Sequence, residues 1–464
     1  MSEEIPVNGI DARTGLYLPA PATDAELARR TRGMPLPEKK RADYLWRAEE
    51  YDPNDPERGL IYGTSARRLA SAGWAVLFAP NAAPDERAAL KPLLDHRQDL
   101  AGKRFKVYEY VPGQSADDFL DGQGARPGPV DPKCVPYYVL IVGDPRTIPF
   151  RFQHELDVQY AVGRIWFQTV EEYKKYAESL VRAETSPPAR AKRITFFAAA
   201  NDDDSATTRT SQDLVIPLAE KASKNRQGWD VQTYVGLKAT KAQLRGLLGD
   251  DASGLLFTAS HGMKFPLGDP DQLAAQGALL CQDWPGPEKW SGEIPKDFYF
   301  AAADVPKEAD LTGLLAVCFA CFSGGTPELD SFGEDPLSPP ERLASDPFIA
   351  RLPQQLLGHP GGGALAVVCH VDRAWTTSFS WTQKAQVQLF EGMLKRLLKG
   401  YPVGSSMEPF NSCHAELAVK LAGLWEDRNA DLDVSRTRFG RIWRANNDAR
   451  NFMVFGDPAV RLAT

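Results

Sequence analysis

The sequence predicts an α/β fold, a doubly wound and mainly parallel sheet preceded by a second, smaller α/β subdomain. Three observations carry this. From Gly59 onward, short apolar runs alternate with segments of helical periodicity, the pattern of parallel strands joined by crossover helices. Pro187-Pro188 interrupts the alternation, and neither proline can continue a helix or donate to a ladder. Beyond it a second, longer series begins, and two of its apolar runs end in chemically capable residues, His261 and Cys321. Open parallel sheets bind ligands outside the carboxyl ends of their strands.

Residues 1–58 are rich in proline and charge, with little sustained periodicity, and read as an irregular arm. Residues 59–188 supply the smaller subdomain. GWAVLFAP, KRFKVYEYV and YYVLIVGD read as strands, with DERAALKPLLDHR and SADDFL as helices between them and EEYKKYAESLVRAE as the closing helix. Residues 189–464 supply the larger domain. RITFFAAA, WDVQTYVG, GLLFTASHG, GLLAVCFACFSGG and ALAVVCHVD read as strands, and SQDLVIPLAEKASKN, KAQLRGLLG and DPFIARLPQQLLG as helices. Lys264 to Ala309 is long for a connector and offers a place for control by a protein partner.

Composition excludes several classes. The chain has 464 residues, 43% hydrophobic and 25% charged, which is globular rather than disordered. Its net charge is −7, and the only mixed basic stretch, Arg29 to Arg47, is diluted by Glu38 and Asp43, so nucleic acid is not an expected partner. No apolar run approaches a membrane span, and MSEEIPVNGIDARTG lacks an apolar signal core, so the expectation is a soluble, cytoplasmic protein without membrane attachment. Six cysteines, at 134, 281, 318, 321, 369 and 413, are too few and too scattered for a disulfide framework and read as reduced thiols.

TASHG and CFACFSGG each follow an apolar strand, histidine first and cysteine second. A thiol becomes a strong nucleophile as thiolate, and an imidazole within reach assists its deprotonation and later protonates a leaving amine. Cys321 is the candidate nucleophile and His261 the candidate base. The Gly262 and Cys321 N–H groups are the candidate oxyanion donors, since attack on a carbonyl develops negative charge that needs preorganised N–H groups. Gly324 and Gly325 would let the chain turn sharply after the nucleophile. The Cys318-x-x-Cys321 spacing lacks a second such pair or a nearby histidine pair, so neither a metal nor a cofactor is expected. His96, His154, His359 and His370 show no partner pattern and read as structural.

A hydrophobic block ending in His-Gly, followed by one ending in Ala-Cys, resembles the caspase-type (clan CD) cysteine peptidases, a group that includes gingipains, clostripain, legumain and separase. YYVLIVGDPRTIPF, DVQYAVGRI with the helix behind it, and NFMVFGDPAVRL make the chain most similar to the gingipain-like family, from about residue 60 to the end. The resemblance implies a small α/β subdomain buttressing a caspase-like one, and endopeptidase activity through His261 and Cys321 on protein or peptide substrates. Phe319 stands where caspases often carry Gln, which argues against aspartate specificity of the caspase kind.

In caspase-type sheets the loop after the first strand of the catalytic unit helps floor the pocket for the residue before the cut. Here that loop carries Asp202, Asp203 and Asp204, and carboxylates there would favour Arg or Lys by charge-assisted pairing. The alternative is that these residues cap the following helix. Asp372, at the end of another strand, is a further candidate substrate contact. Thr326 to Asp346 carries six carboxylates and reads as an exposed loop that gates the cleft or is processed at Arg342. Two other functions fit the same residues: a catalytically silent scaffold that binds a protein partner, and an amidase or transpeptidase using the same dyad.

Overall fold

The computed structural model describes residues 59–462 apart from 187–189, 225–227, 250–252, 332–339, 382–383, 431 and 433. The expected N-terminal arm, the Pro187-Pro188 break, and Glu334 and Asp335 of the acidic segment lie outside the described residues. The chain divides into two units, Met1–Asn54 with Glu416–Trp443, and Asp55–Ala415 with Arg444–Thr464. In the described part of the first, Trp425 meets Phe439 edge-on with ring centroids 4.9 Å apart, and Arg428 lies over both rings.

The second unit is built on ten strands: β1 (Trp74–Phe78), β2 (Phe105–Glu109), β3 (Tyr138–Val142), β4 (Ala161–Ile165), β5 (Ala191–Ala198), β6 (Asp230–Val235), β7 (Ser253–Ala259), β8 (Leu315–Phe319), β9 (Ala366–His370) and β10 (Phe452–Gly456). They form one sheet in the order β2-β1-β3-β4-β10-β9-β8-β7-β5-β6. Every residue of β1, β3, β4, β7, β8, β9 and β10 is buried, because helices cover both faces of a parallel sheet. That double burial explains why these strands read as unbroken apolar runs. The two edges, β2 and β6, are half-exposed and carry polar residues, which discourages pairing with other chains.

The strands of both α/β series lie in this single sheet, and β10 joins them. It runs parallel to β4, with Val454 opposite Gly163, and antiparallel to β9, with Phe452 opposite His370. Every other pairing in the sheet is parallel. The two series therefore point in opposite directions, and the start of β10 lies beside the end of β9. A Cβ on Gly163 would stand 2.1 Å from the Gly456 carbonyl oxygen, so only glycine admits this approach.

A buried ion cluster pins the end of β10 to the first series. Arg97 donates to Asp457 Oδ2 at 2.6 Å and to both oxygens of Glu184 at 2.6 and 2.7 Å. Trp74 Nε1 donates to Asp457 Oδ1 at 3.0 Å. Burial works to raise the Glu184 carboxyl, but the Arg97 charge and the His96 hydrogen bond outweigh it and hold the group at about 2. The helices follow the expected segments. Val170–Thr185 opens on a Thr169/Glu172 capping box, and Ser205–Arg209 continues through a wider turn at Thr210–Val215 into Ile216–Lys224. The stretch between β7 and β8 makes a small core of its own around Leu280, Trp284 and Tyr299.

Candidate active site

Strands β7 and β8 are parallel neighbours with Phe319 opposite Ala259. His261 and Cys321, each two residues further on, therefore emerge at the same height from adjacent strand ends. The backbones are in close contact there, and a Cβ on Gly262 would stand 1.8 Å from the Cys321 carbonyl oxygen. Glycine is thus required at 262 for the two strand ends to meet. His261 and Cys321 line one small cleft of about 50 Å³, with Thr207, Thr210, Ala374 and Thr376 among its other walls. Among the described residues, neither the Gly262 nor the Cys321 N–H is engaged in a backbone hydrogen bond, and Gly262 sits opposite Leu279 at a non-bonded position of its bridge.

Asp204, read from sequence with the substrate pocket, lies behind the histidine. Its Oδ2 is 2.7 Å from His261 Nε2 and accepts from Thr207 Oγ1 at 2.7 Å, while Oδ1 caps the following helix through the Ala206 N–H at 3.1 Å. Burial pushes the carboxyl up, but the His261 hydrogen bond and charge, with the Thr207 and Ala206 donors, outweigh it and hold Asp204 at about 2. An ionised Asp204 accepts the Nε2 proton, which fixes the tautomer and leaves Nδ1 as the ring acceptor. The Trp284 ring stands edge-on to the imidazole with centroids 6.1 Å apart.

The other two loop carboxylates are placed differently. Asp203 Oδ2 accepts from the Glu288 N–H at 3.1 Å, and among the described residues its buried Oδ1 finds no hydrogen-bond donor, nor does Oδ1 of Asn201. Asp202 is exposed to solvent.

Cys321 is half-buried, and its sulfur is held by one residue of the loop after β9. The Ala374 N–H donates to Sγ at 3.3 Å, and Sγ lies 3.6 Å from the Ala374 carbonyl oxygen. Burial pushes the thiol up to about 11, opposed by the Ala374 N–H, and the Asp372 and Asp448 carboxylates add to the rise. Among the described residues no hydrogen bond joins Cys321 to His261. The turn after Cys321 falls on Phe322, whose φ is 58°, and not on the glycines. Gly324 and Gly325 serve close packing instead, against the Phe455 ring and the Phe348 carbonyl respectively.

Asp372 is fully buried beneath this turn, with φ 68°. Its carboxylate accepts from the N–H groups of Arg373 at 2.8 Å and Ser331 at 3.3 Å. Arg373 pairs with Asp330 at 2.7 Å. The described part of the acidic segment is not a free loop: Leu329 bridges Arg342, the Leu343 N–H donates to the Glu328 carbonyl at 2.8 Å, and Leu343 is buried.

Sequence reasoning missed Asp448. It is buried, and its oxygens gather Trp375 N–H at 3.1 Å, Thr377 Oγ1 and Ser378 Oγ at 2.7 Å each, and His370 Nε2 at 3.1 Å. Nothing local in NDARNF marks this role, which depends on the antiparallel insertion of β10 beside β9. Cys318 and Cys369, opposite one another on β8 and β9, are buried core thiols.

No protein-family model matches the sequence, and no curated protein matches it. Solved structures do. The Arg-specific cysteine proteinase gingipain R matches with a TM-score of 0.50 at 14% identity, over 84% of this chain and 78% of the other. The complex of Porphyromonas gingivalis RgpB pro- and mature domains matches with a TM-score of 0.50 at 12% identity, over 84% and 80%. A third, described only as a protease, matches with a TM-score of 0.50 at 14% identity, over 84% and 79%. The fold is gingipain-like.

At these identities the likeness concerns architecture. The gingipain-like sheet of this chain brings the carboxyl ends of its adjacent interior strands β7, β8 and β9 together, with the loop after β5 closing over the histidine. Among the described residues no helix is long and apolar enough to cross a membrane, and no group of three or more His, Cys, Asp or Glu could hold a metal ion.

Proposed function

We propose that this protein is a cysteine endopeptidase in which Cys321 attacks, His261 carries the proton and Asp204 orients His261. The observation that carries the reading is the placement of His261 and Cys321 across one cleft, with an ionised carboxylate on the far nitrogen of the imidazole. The gingipain-like fold supports it. His261 Nδ1 takes the thiol proton as Sγ bonds to the scissile carbonyl carbon. The Gly262 and Cys321 N–H groups receive the oxyanion, a contribution of about 3–4 kcal/mol per donor in comparable sites. His261 then passes the proton to the leaving amine, and water, deprotonated by the same imidazole, hydrolyses the thioester.

A preference for Arg or Lys before the cut belongs to this proposal. Asp202 is open to solvent, and two buried acceptors in the same loop after β5, Asp203 Oδ1 and Asn201 Oδ1, find no donor among the described residues. A cationic side chain supplies donors and charge together. Free thiols at all six cysteines suit a reducing, cytoplasmic setting. Because Ala374 holds the resting sulfur, substrate or a protein partner would complete the catalytic geometry.

The test is hydrolysis of fluorogenic peptides bearing Arg, Lys, Asp or Leu before the cut, with Cys321→Ala and His261→Ala as controls. Cleavage after Arg or Lys, abolished in both variants, is the expected result. A panel left intact, with Cys321 inert to alkylation even in alkaline solution, would point to the silent scaffold, and acyl transfer to added amines, detected by mass, would point to a transpeptidase.

A further inference from the structure

The loop that holds the nucleophile has no regular structure of its own beyond the short turn Thr376–Ser378. Four donors nevertheless converge on a single carboxylate beneath it. Asp448 Oδ1 accepts from the Trp375 N–H and lies 3.1 Å from His370 Nε2, and Oδ2 accepts from the Thr377 and Ser378 hydroxyls. His370 is itself wholly buried, its Nδ1 lying 3.4 Å from the Asp372 carbonyl oxygen. The carboxylate thus ties three of the four positions after Ala374, namely Trp375, Thr377 and Ser378, and the last residue of β9 to one point. Ala374 is the residue whose N–H donates to Cys321 Sγ.

Resting on the reading of Cys321 as the nucleophile, we propose that Asp448 is a positioning residue. It holds the 374–378 loop so that the Ala374 N–H stays directed at the Cys321 sulfur and stabilises the thiolate when it forms. It touches neither substrate nor sulfur and acts through the loop.

Charge and position make opposite demands, which renders the idea testable. The charged and titratable groups acting on the Cys321 thiol are Asp372, Asp448 and Arg373, with His261 across the cleft. If Asp448 acted on the thiol by charge alone, neutralising it would ease thiolate formation. If it holds the loop, neutralising it frees the Ala374 N–H and makes the thiolate harder to form.

The experiment is the pH dependence of iodoacetamide alkylation at Cys321 in the full chain, followed by peptide mapping, for wild type, Asp448→Asn and the double variant Thr377→Val/Ser378→Ala. The double variant keeps the buried carboxylate and removes only two loop donors, so it decides the matter if Asp448→Asn does not fold. Alkylation at about pH 8 slowed roughly five-fold or more in both, with the midpoint moved upward, is the expected result, since reactivity follows the thiolate fraction. Unchanged or faster alkylation in either folded variant would overturn the proposal. The comparison needs no hydrolysis, so a wild type that cleaves no peptide would sink the peptidase reading while leaving this measurement decisive for Asp448.

Discussion

The Phe322 N–H donates to the Asp372 carbonyl oxygen at 2.6 Å, and both residues hold left-handed backbone, with φ of 58° and 68°. Such a conformation costs a non-glycine residue about 1–2 kcal/mol. The surroundings over-determine it: Phe322 is buried, and the Asp372 carboxylate receives two backbone N–H groups. The paired turns set the direction in which Cys321 leaves β8.

Replacing Asp372 should separate strain from hydrogen bonding. Asp372→Ala and Asp372→Gly both strand the Arg373 and Ser331 N–H groups, but only glycine is at ease at this φ. Both variants should be less stable than wild type by denaturant unfolding, with alanine lower than glycine by about 1 kcal/mol. Equal stabilities would mean that the left-handed turn stores no strain.

Asp204→Asn should keep the fold, since asparagine caps helices as well as aspartate, yet lose the orientation of His261. A fall of about 100-fold or more in kcat with little change in KM is expected on a cleaved peptide. A variant with wild-type kcat would remove Asp204 from the proton pathway.

The resting thiol sits at about 11, raised first by burial. A raised thiol is protonated at neutral pH, so alkylation of Cys321 in the free protein should be slow near neutrality. Its rate should climb as the pH rises through that value. A midpoint near the ordinary thiol value of about 8.5 would show that burial does not govern this sulfur.

Gly262→Ala places a Cβ against the Cys321 carbonyl and should separate the two strand ends. A loss of about 1–3 kcal/mol in thermal unfolding is expected, with peptide hydrolysis lost even below the new transition temperature. Retained activity would mean that the strand ends need not meet.

Asp457→Ala leaves Arg97 buried beside a single carboxylate and should cost about 3–5 kcal/mol by chemical denaturation. In the wild type, Glu184 is depressed to about 2. Its contribution is full above the unfolded carboxylate range, near 4.3, and is lost as the pH falls through about 2. Glu184→Gln should therefore narrow the stability difference between neutral and acid solution.

Much of the fold was legible from local pattern. β1, β3, β7, β8 and β9, and the buried half of β5, coincide with apolar runs because strands buried on both faces need no polar alternation. GLLFTASHG and CFACFSGG stood out because polar residues at the ends of such runs have few reasons to be there. The expectation that Gly324 and Gly325 make the turn failed at Phe322, whose left-handed φ is tolerated because Asp372, two residues past the end of β9, supplies its hydrogen-bond acceptor. The acidic segment read as an exposed loop because its composition is polar, whereas Leu343 is buried under a bridge that local composition does not encode.

The sequence by itself determined most of the strands, though not β4 or β10, and that His261 and Cys321 follow the ends of two of them, since both come from short-range apolar patterning. Tertiary structure alone decided that these ends are neighbours in register, that Asp204 stands on His261, and that Asp448 holds the loop around the thiol. Strand order and register are set by contacts between residues far apart in the chain. The antiparallel insertion of β10 carries Asp448 beside the end of β9, a place that its own neighbours in sequence do not specify.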